Sequence, residues 1–212
     1  MQLPSKLTVE IDTREQHPLS FPATITVRDP FDLTTRVIGL TTRKATLPTG
    51  DYRIAEYTNL CIVERKATVQ ELYSNLLGTD RHRAGRAFVR LTRSCAHPTI
   101  LLEATPASFF NPTPPLPGNP DILLSWMQYT VARMKLNLLW LPWGSNAKHR
   151  TRLGTVVAQH LTSYVLLHLT YQRLNSLTDP ERVPESERGI PPAPHLEDEY
   201  RMLPKESKHA PA

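Results

Sequence analysis

The feature that most constrains the fold is the run Leu60-Cys61-Ile62-Val63, apolar throughout, which ends abruptly on Glu64-Arg65-Lys66. An unbroken apolar stretch of this length suits a strand covered on both faces, and hence a sheet with helices on both sides. Three charged residues directly after such a strand are costly to bury unless they are paired or bind a metal. Thr99 to Glu103 reads as another buried strand.

The rest of the chain fits an α/β order. Lys6 to Ile11 alternates toward an apolar face and reads as a strand entering Asp12-Thr13-Arg14-Glu15. Thr24 to Leu47 is dense in β-branched residues and suggests one or two strands. Pro48-Thr49-Gly50 is a turn, Asp51 to Ala55 starts a strand, and Tyr57-Thr58-Asn59 connects it to the apolar run. The periodicity then becomes helical, with a short helix over Val69 to Leu77. A second is capped by Thr79 and runs to about Ser94, with Ala84, Ala87, Phe88 and Leu91 inward. Thr105 to Pro120, with six prolines, is expected to be a loop. A helix over Asp121 to Lys135 is expected to bury Ile122, Trp126, Thr130 and Met134, and Leu136 to Leu141 reads as the next strand. Lys148 to Leu174 is a long helical pattern. The expected domain covers 1–175, and the proline-rich segment 176–212 is expected to be a disordered acidic tail.

Charge is unevenly spread. Residues 1–175 hold 20 Lys and Arg against 12 Asp and Glu, whereas 176–212 hold five against eight. A basic body suggests a polyanionic partner. No apolar run is long enough to span a bilayer and the N-terminus lacks a signal-peptide core, so an intracellular setting is expected. Compartment depends on host: cytoplasmic in a prokaryote, nuclear or host-cell for a eukaryote or virus. Cys61 and Cys95, the only cysteines, sit in apolar surroundings and are expected to be buried thiols.

Asp51, Glu64 and Lys66 form the candidate constellation. Two residues along a strand return to the same face, so Glu64 and Lys66 project together while Arg65 points away. The short hairpin brings Asp51 toward them. Two carboxylates and a lysine suit phosphodiester hydrolysis assisted by Mg²⁺, which needs charge stabilisation, an activated water and help for the leaving oxygen. Lys66 could orient or deprotonate the water, or stabilise the phosphate. On spacing alone an exposed hairpin with a salt-bridged Glu64–Lys66 pair is the better fit, and the charged residues' place directly after a buried strand is what favours a site.

Three ordered motifs add a resemblance. Ile11-Asp12-Thr13-Arg14-Glu15, Leu47-x-x-Gly50-Asp51-Tyr52 and Ile62-Val63-Glu64-Arg65-Lys66 resemble the successive motifs of the XPF-type structure-specific endonucleases, of the restriction-endonuclease-like superfamily, over residues 6 to about 145. The resemblance implies a restriction-endonuclease-like mixed β-sheet flanked by helices, Mg²⁺ or Mn²⁺ dependence, and incision of DNA at branched, flap or fork structures, with roles in repair and recombination. It implies Asp51, Glu64 and Asp12 as metal ligands, Lys66 as the catalytic lysine and Glu15 as a further acid. Arg14 and Arg65 would support the site or contact DNA, and Tyr52 would pack. A homodimer or heterodimer is implied, with the last helix as a candidate contact.

The chain departs from the family where an Asp commonly follows the lysine by four positions. Gln70 stands there, with Glu71 adjacent. Nothing after Leu174 has the glycine-containing hairpins of the family's tandem helix-hairpin-helix domain and no helicase domain precedes, so a stand-alone nuclease domain is expected. Two rivals stay open: a catalytically silent DNA-binding subunit, and a restriction or Holliday-junction nuclease on the same fold.

Arg83, Arg86, Arg90 and Arg93 form a stripe on the second helix with no interleaved acid after Asp80, which favours phosphate contact over a solvated salt-bridged face. The eight histidines show no metal-ligand spacing. His160 and His168 are expected in the core or at an interface, and Trp126, Trp140 and Trp143 are expected to pack inside.

Overall fold

A computed structural model describes residues 4–29, 32–142 and 147–177. Its centre is a seven-stranded mixed sheet, β1 (Lys6–Asp12), β2 (Thr24–Arg28), β3 (Thr35–Ala45), β4 (Tyr52–Ile54), β5 (Cys61–Lys66), β6 (His97–Glu103) and β7 (Asn137–Leu141), in the order β2-β3-β1-β4-β5-β6-β7. β1 pairs parallel to β3 and antiparallel to β4, β4 is antiparallel to β5, and β5, β6 and β7 run parallel. Five helices complete the fold: α1 (Val69–Leu76), α2 (Arg81–Ser94), α3 (Pro106–Phe110), α4 (Pro120–Arg133) and α5 (Ala147–Leu177). The mixed sheet flanked by helices is the expected architecture, and none of the described helices is long and apolar enough to cross a membrane.

The two faces of the sheet bury different partners. Leu7, Val9, Ile11, Ile38, Leu40, Tyr52 and Val63 pack against Leu153, Val157, Leu161 and Val165 of α5. On the other face Ile62 and Ile100 meet Phe88 and Leu91 of α2, and Leu102 meets Leu72 of α1 and Leu123 and Met127 of α4. β5 is therefore covered on both sides, as its apolar run requires. Cys61 and Cys95 are buried free thiols.

Three expectations are corrected. Ile122 and Trp126 are exposed, and Leu123 and Met127 join the expected Thr130 and Met134 in facing the core. The segment after Thr105 holds α3, started by a capping box in which Thr105 and Ser108 satisfy each other's backbone amides, with Pro106 at the first helical position. The connection after β4 opens with a 3-10 turn, Ala55–Tyr57. Trp140 is half-buried and its indole N–H donates to the Ala104 carbonyl. Trp143 and the chain from 178 onward, including most of the expected tail, lie outside the described residues.

Candidate active site

Asp51 is held in place by backbone. Its N–H donates to the Val63 carbonyl at 2.8 Å, and its own carbonyl accepts from Asp12 N–H at 2.9 Å. Gly50 makes this stitch possible. Its φ is +72°, and a Cβ there would lie 2.3 Å from the Ile62 side chain, so only glycine lets the turn close onto β5. One Asp51 carboxylate oxygen accepts from Arg65 N–H at 2.7 Å, which sets the carboxyl beside the Glu64–Arg65 peptide. No protein donor among the described residues meets the other oxygen.

Glu64 and Lys66 project from the same face of β5, as alternation requires. Lys66 Nζ donates to Glu64 Oε1 at 2.8 Å and to Glu71 Oε1 at 3.2 Å. Burial disfavours the ammonium, but Glu64 and Glu71 outweigh it and raise the Lys66 pKa above its ordinary value. Asp51 moves the opposite way from an ordinary carboxyl: burial first, then repulsion from Glu64, push it up to about 7. These groups line a cleft of about 670 Å³, bordered also by Arg14, Glu15, Glu71, Asn75, Arg83 and Arg90.

The remaining expected residues separate into those the cleft includes and those it does not. Glu15 lines the cleft with a largely buried side chain, whose Oε1 accepts from His17 N–H at 2.8 Å and lies 3.4 Å from Arg65 Nη1. Arg14 is at the rim, with a 65% exposed side chain. Asp12, expected as a metal ligand, is not placed with Asp51 and Glu64. It is buried, and it accepts from Arg14 Nε at 2.9 Å and Nη2 at 2.6 Å and from Leu47 N–H at 3.2 Å. Both its oxygens are thus occupied in bracing Arg14.

Arg65, expected as a DNA contact, is buried. It forms a two-armed ion pair with Glu103 and donates to the His17 carbonyl at 3.0 Å, tying the ends of β5 and β6 to the loop after β1. This side chain supports the site from behind. Arg83 and Arg90 border the cleft; Arg86 and Arg93 are exposed on the same helix outside it. Arg83 leans on Asp80, the acid that precedes the stripe, at 3.3 Å.

The departure at Gln70 has a structural counterpart. Its amide donates to the Pro114 carbonyl at 2.7 Å and so faces the proline-rich loop. Glu71 takes the position against Lys66, and its other oxygen accepts from Ala67 N–H at 3.0 Å. Glu103 and Asn75 were not anticipated as parts of the site. For Glu103 a signal existed: an acid ending an apolar run, parallel to Glu64.

Among the described residues no three His, Cys, Asp or Glu side chains form a ready cation cage. Asp51 and Glu64 nonetheless fit Mg²⁺, which is usually held through one or two carboxylates, the remaining positions filled by water and substrate phosphate. Burial and repulsion from Glu64 disfavour the charged Asp51 carboxylate, a penalty that a cation held between the two acids would offset.

A solved structure of XPF from Aeropyrum pernix is similar at 20% identity, with a TM-score of 0.46, over 71% of this chain and 61% of that one. XPF from Aeropyrum pernix in complex with DNA is similar at 18% identity, with a TM-score of 0.43, over 73% and 66%. The chain therefore spans about 61% of the length of the first of these. No curated protein matches. The family of the ERCC4 domain matches residues 11–116, a stretch that begins in the first motif, contains Asp51, Glu64 and Lys66, and reaches the proline-rich loop; the chain belongs to the ERCC4-domain family.

Proposed function

We propose that this chain is a metal-dependent DNA endonuclease that hydrolyses one phosphodiester bond at branched, flap or fork DNA. The observation that carries the reading is the convergence of Asp51, Glu64 and Lys66 in one cleft bordered by Arg14, Arg83 and Arg90. A structural hairpin would place a Glu–Lys pair at the surface; here Lys66 is buried and Asp51 is crowded against Glu64.

Asp51 and Glu64 would hold Mg²⁺ or Mn²⁺, with Asp12 acting indirectly through Arg14. A divalent ion bound there would polarise the phosphate and lower the pKa of a coordinated water. Lys66 stays charged between Glu64 and Glu71, so it suits electrostatic stabilisation of the phosphate rather than removal of a proton. The cleft-facing arginines would grip backbone phosphates on either side of the scissile bond, contacts that position DNA without reading sequence. This favours a structure-selective enzyme over a sequence-specific one. The intact acids and lysine argue against a silent subunit. A homodimer or heterodimer is part of the proposal.

The test uses labelled flap, fork, four-way and linear duplex DNA with Mg²⁺, Mn²⁺ or EDTA. Incision of a junction substrate with metal, absent in EDTA and in Asp51→Asn and Glu64→Gln, is expected. Cutting of linear duplex at one sequence would favour the restriction-type rival, and equal cutting by the variants would end the enzyme reading.

A further inference from the structure

The face of the sheet that carries Glu64 and Lys66 is only partly covered. α1, α2 and α4 pack over β5, β6 and β7. Register places the side chains of the other strands. Glu10 pairs with Arg43 across β1 and β3 and with Arg53 across β1 and β4, and Arg53 stands opposite Ile62. Ile62 alternates onto the same side as Glu64 and Lys66, so Arg43, Arg53 and Glu10 share the face of the candidate acids. Along β3 and β2 that face continues through Thr41 and Val37 to Thr26, which lies opposite Val37.

This part of the sheet is open and polar. Val37 is 63% exposed, and the Arg43 side chain 62%. A face meant for another protein's core would carry several large apolar side chains, whereas Val37 is the one exposed here among Thr and Arg. The two arginines are also held in position. Arg43 donates from Nε at 3.0 Å and Nη2 at 2.6 Å to one oxygen of buried Glu10, and Arg53 Nε donates to the other at 2.7 Å. One carboxylate fixes two guanidinium groups and leaves a surplus of positive charge. Side chains ordered in advance lose less entropy on binding a phosphate backbone. Arg14, braced by Asp12, continues the basic surface to the rim of the cleft.

We infer that the uncovered face of β2-β3-β1-β4 is a second DNA-contact surface, which carries the duplex flanking the scissile phosphate. The inference rests on the DNA-cleaving reading of the cleft. Sheet geometry gives it a length scale. With strands about 4.8 Å apart and a rise of about 3.3 Å per residue, Arg43 stands about 16 Å from Glu64 and Val37 about 30 Å. At about 3.4 Å per base pair these distances are about five and about nine base pairs of duplex.

Fork substrates with one junction and duplex arms of about 4, 8 and 16 base pairs test this, by fluorescence anisotropy of the full chain in EDTA over a range of salt. Wild-type affinity is expected to rise with arm length. Arg43→Gln should weaken binding of the two longer arms only. Val37→Lys should tighten binding of the longest arm and steepen its salt slope by about 0.9, while Val37→Glu weakens it, with no effect of either on the shortest arm. Val37 is at the surface, and melting curves confirm that each variant folds. Substitutions that leave the longest arm unaffected, or change all arms equally, overturn the inference while the cleft reading survives. If wild type binds no arm at all, both readings fall. If sedimentation without DNA shows a dimer that Val37→Lys dissolves, the face belongs to a second copy of the chain and the inference is overturned.

Discussion

Replacing Asp51 with asparagine is expected to stabilise the metal-free protein, by an amount that grows with pH. In the unfolded chain an aspartate ionises near the ordinary value of 3.8, and in the fold Asp51 is pushed up to about 7. A folded-state pKa raised in an acid means that the native state binds the extra proton. The penalty is absent below about pH 4, grows as pH rises to about 7, and is constant above. About three pKa units at 1.36 kcal/mol each set an upper bound of about 4 kcal/mol at pH 8. An asparagine amide beside Glu64 fits less well than a protonated carboxyl, so we expect about 2–4 kcal/mol. For a chain of this size that is roughly 5–15 °C in Tm. The assay is thermal unfolding of wild type and Asp51→Asn in EDTA from pH 4 to 8, then at pH 8 with Mg²⁺. The two curves should converge at the acid end. Mg²⁺ should raise the Tm of wild type alone, because an ion bound only by the native state stabilises it by mass action. A variant less stable than wild type at pH 8, or a gap that does not change with pH, would refute the argument that burial and Glu64 crowd the Asp51 charge.

Breaking the buried Arg65–Glu103 pair on one side, as in Glu103→Gln, should cost about 3–5 kcal/mol in denaturant unfolding, and replacing both partners with Met and Leu should recover most of it. His160 is pulled down to about 4 by burial, with a further push from His97, while Thr99 Oγ1 lies 3.0 Å from its Nε2. The unfolded imidazole titrates near 6.5, so stability should fall as pH drops from about 6.5 toward 4, by about 1–3 kcal/mol, and His160→Gln should flatten that slope in acid titration followed by circular dichroism. Arg86→Ala with Arg90→Ala should weaken binding to all DNA sequences alike and flatten the salt slope by roughly 0.9 for each phosphate no longer neutralised; an unchanged slope would remove α2 from the interface.

The sequence was most legible where one pattern had one structural solution. The apolar run of β5 demanded cover on both faces and received it from α5 and α2. The turn is legible from Pro48-Thr49-Gly50, while the reason glycine is required there, a backbone too close to Ile62 for any Cβ, exists only in the fold. α4 departs from the expected phase. Uniform steps of four residues, Ile122 to Trp126 to Thr130 to Met134, drift about 40° each around a helix of 3.6 residues per turn. Leu123, Met127, Thr130 and Met134 mix steps of three and four and hold one face. Asp12 shows a different limit. An Asp two residues before an Arg can bind a metal or brace the arginine, and only the backbone path that brings Leu47 N–H to its carboxylate decides for the brace. Arg65 alternates away from Glu64 and Lys66, as strand periodicity requires, but its partner ends another apolar run 38 residues on, and local spacing does not pair the two.

The central claim is that Asp51 and Glu64 act through a divalent cation on a DNA phosphate. It is tested most directly by incision of a labelled fork at fixed DNA occupancy, comparing wild type with Asp51→Asn and Glu64→Gln in Mg²⁺ and in EDTA. The account predicts bound DNA in every case, incision by wild type only with metal, and incision by the variants slower by about a hundredfold or more. Incision in EDTA, or variants that cut at the wild-type rate while equally occupied, would contradict it.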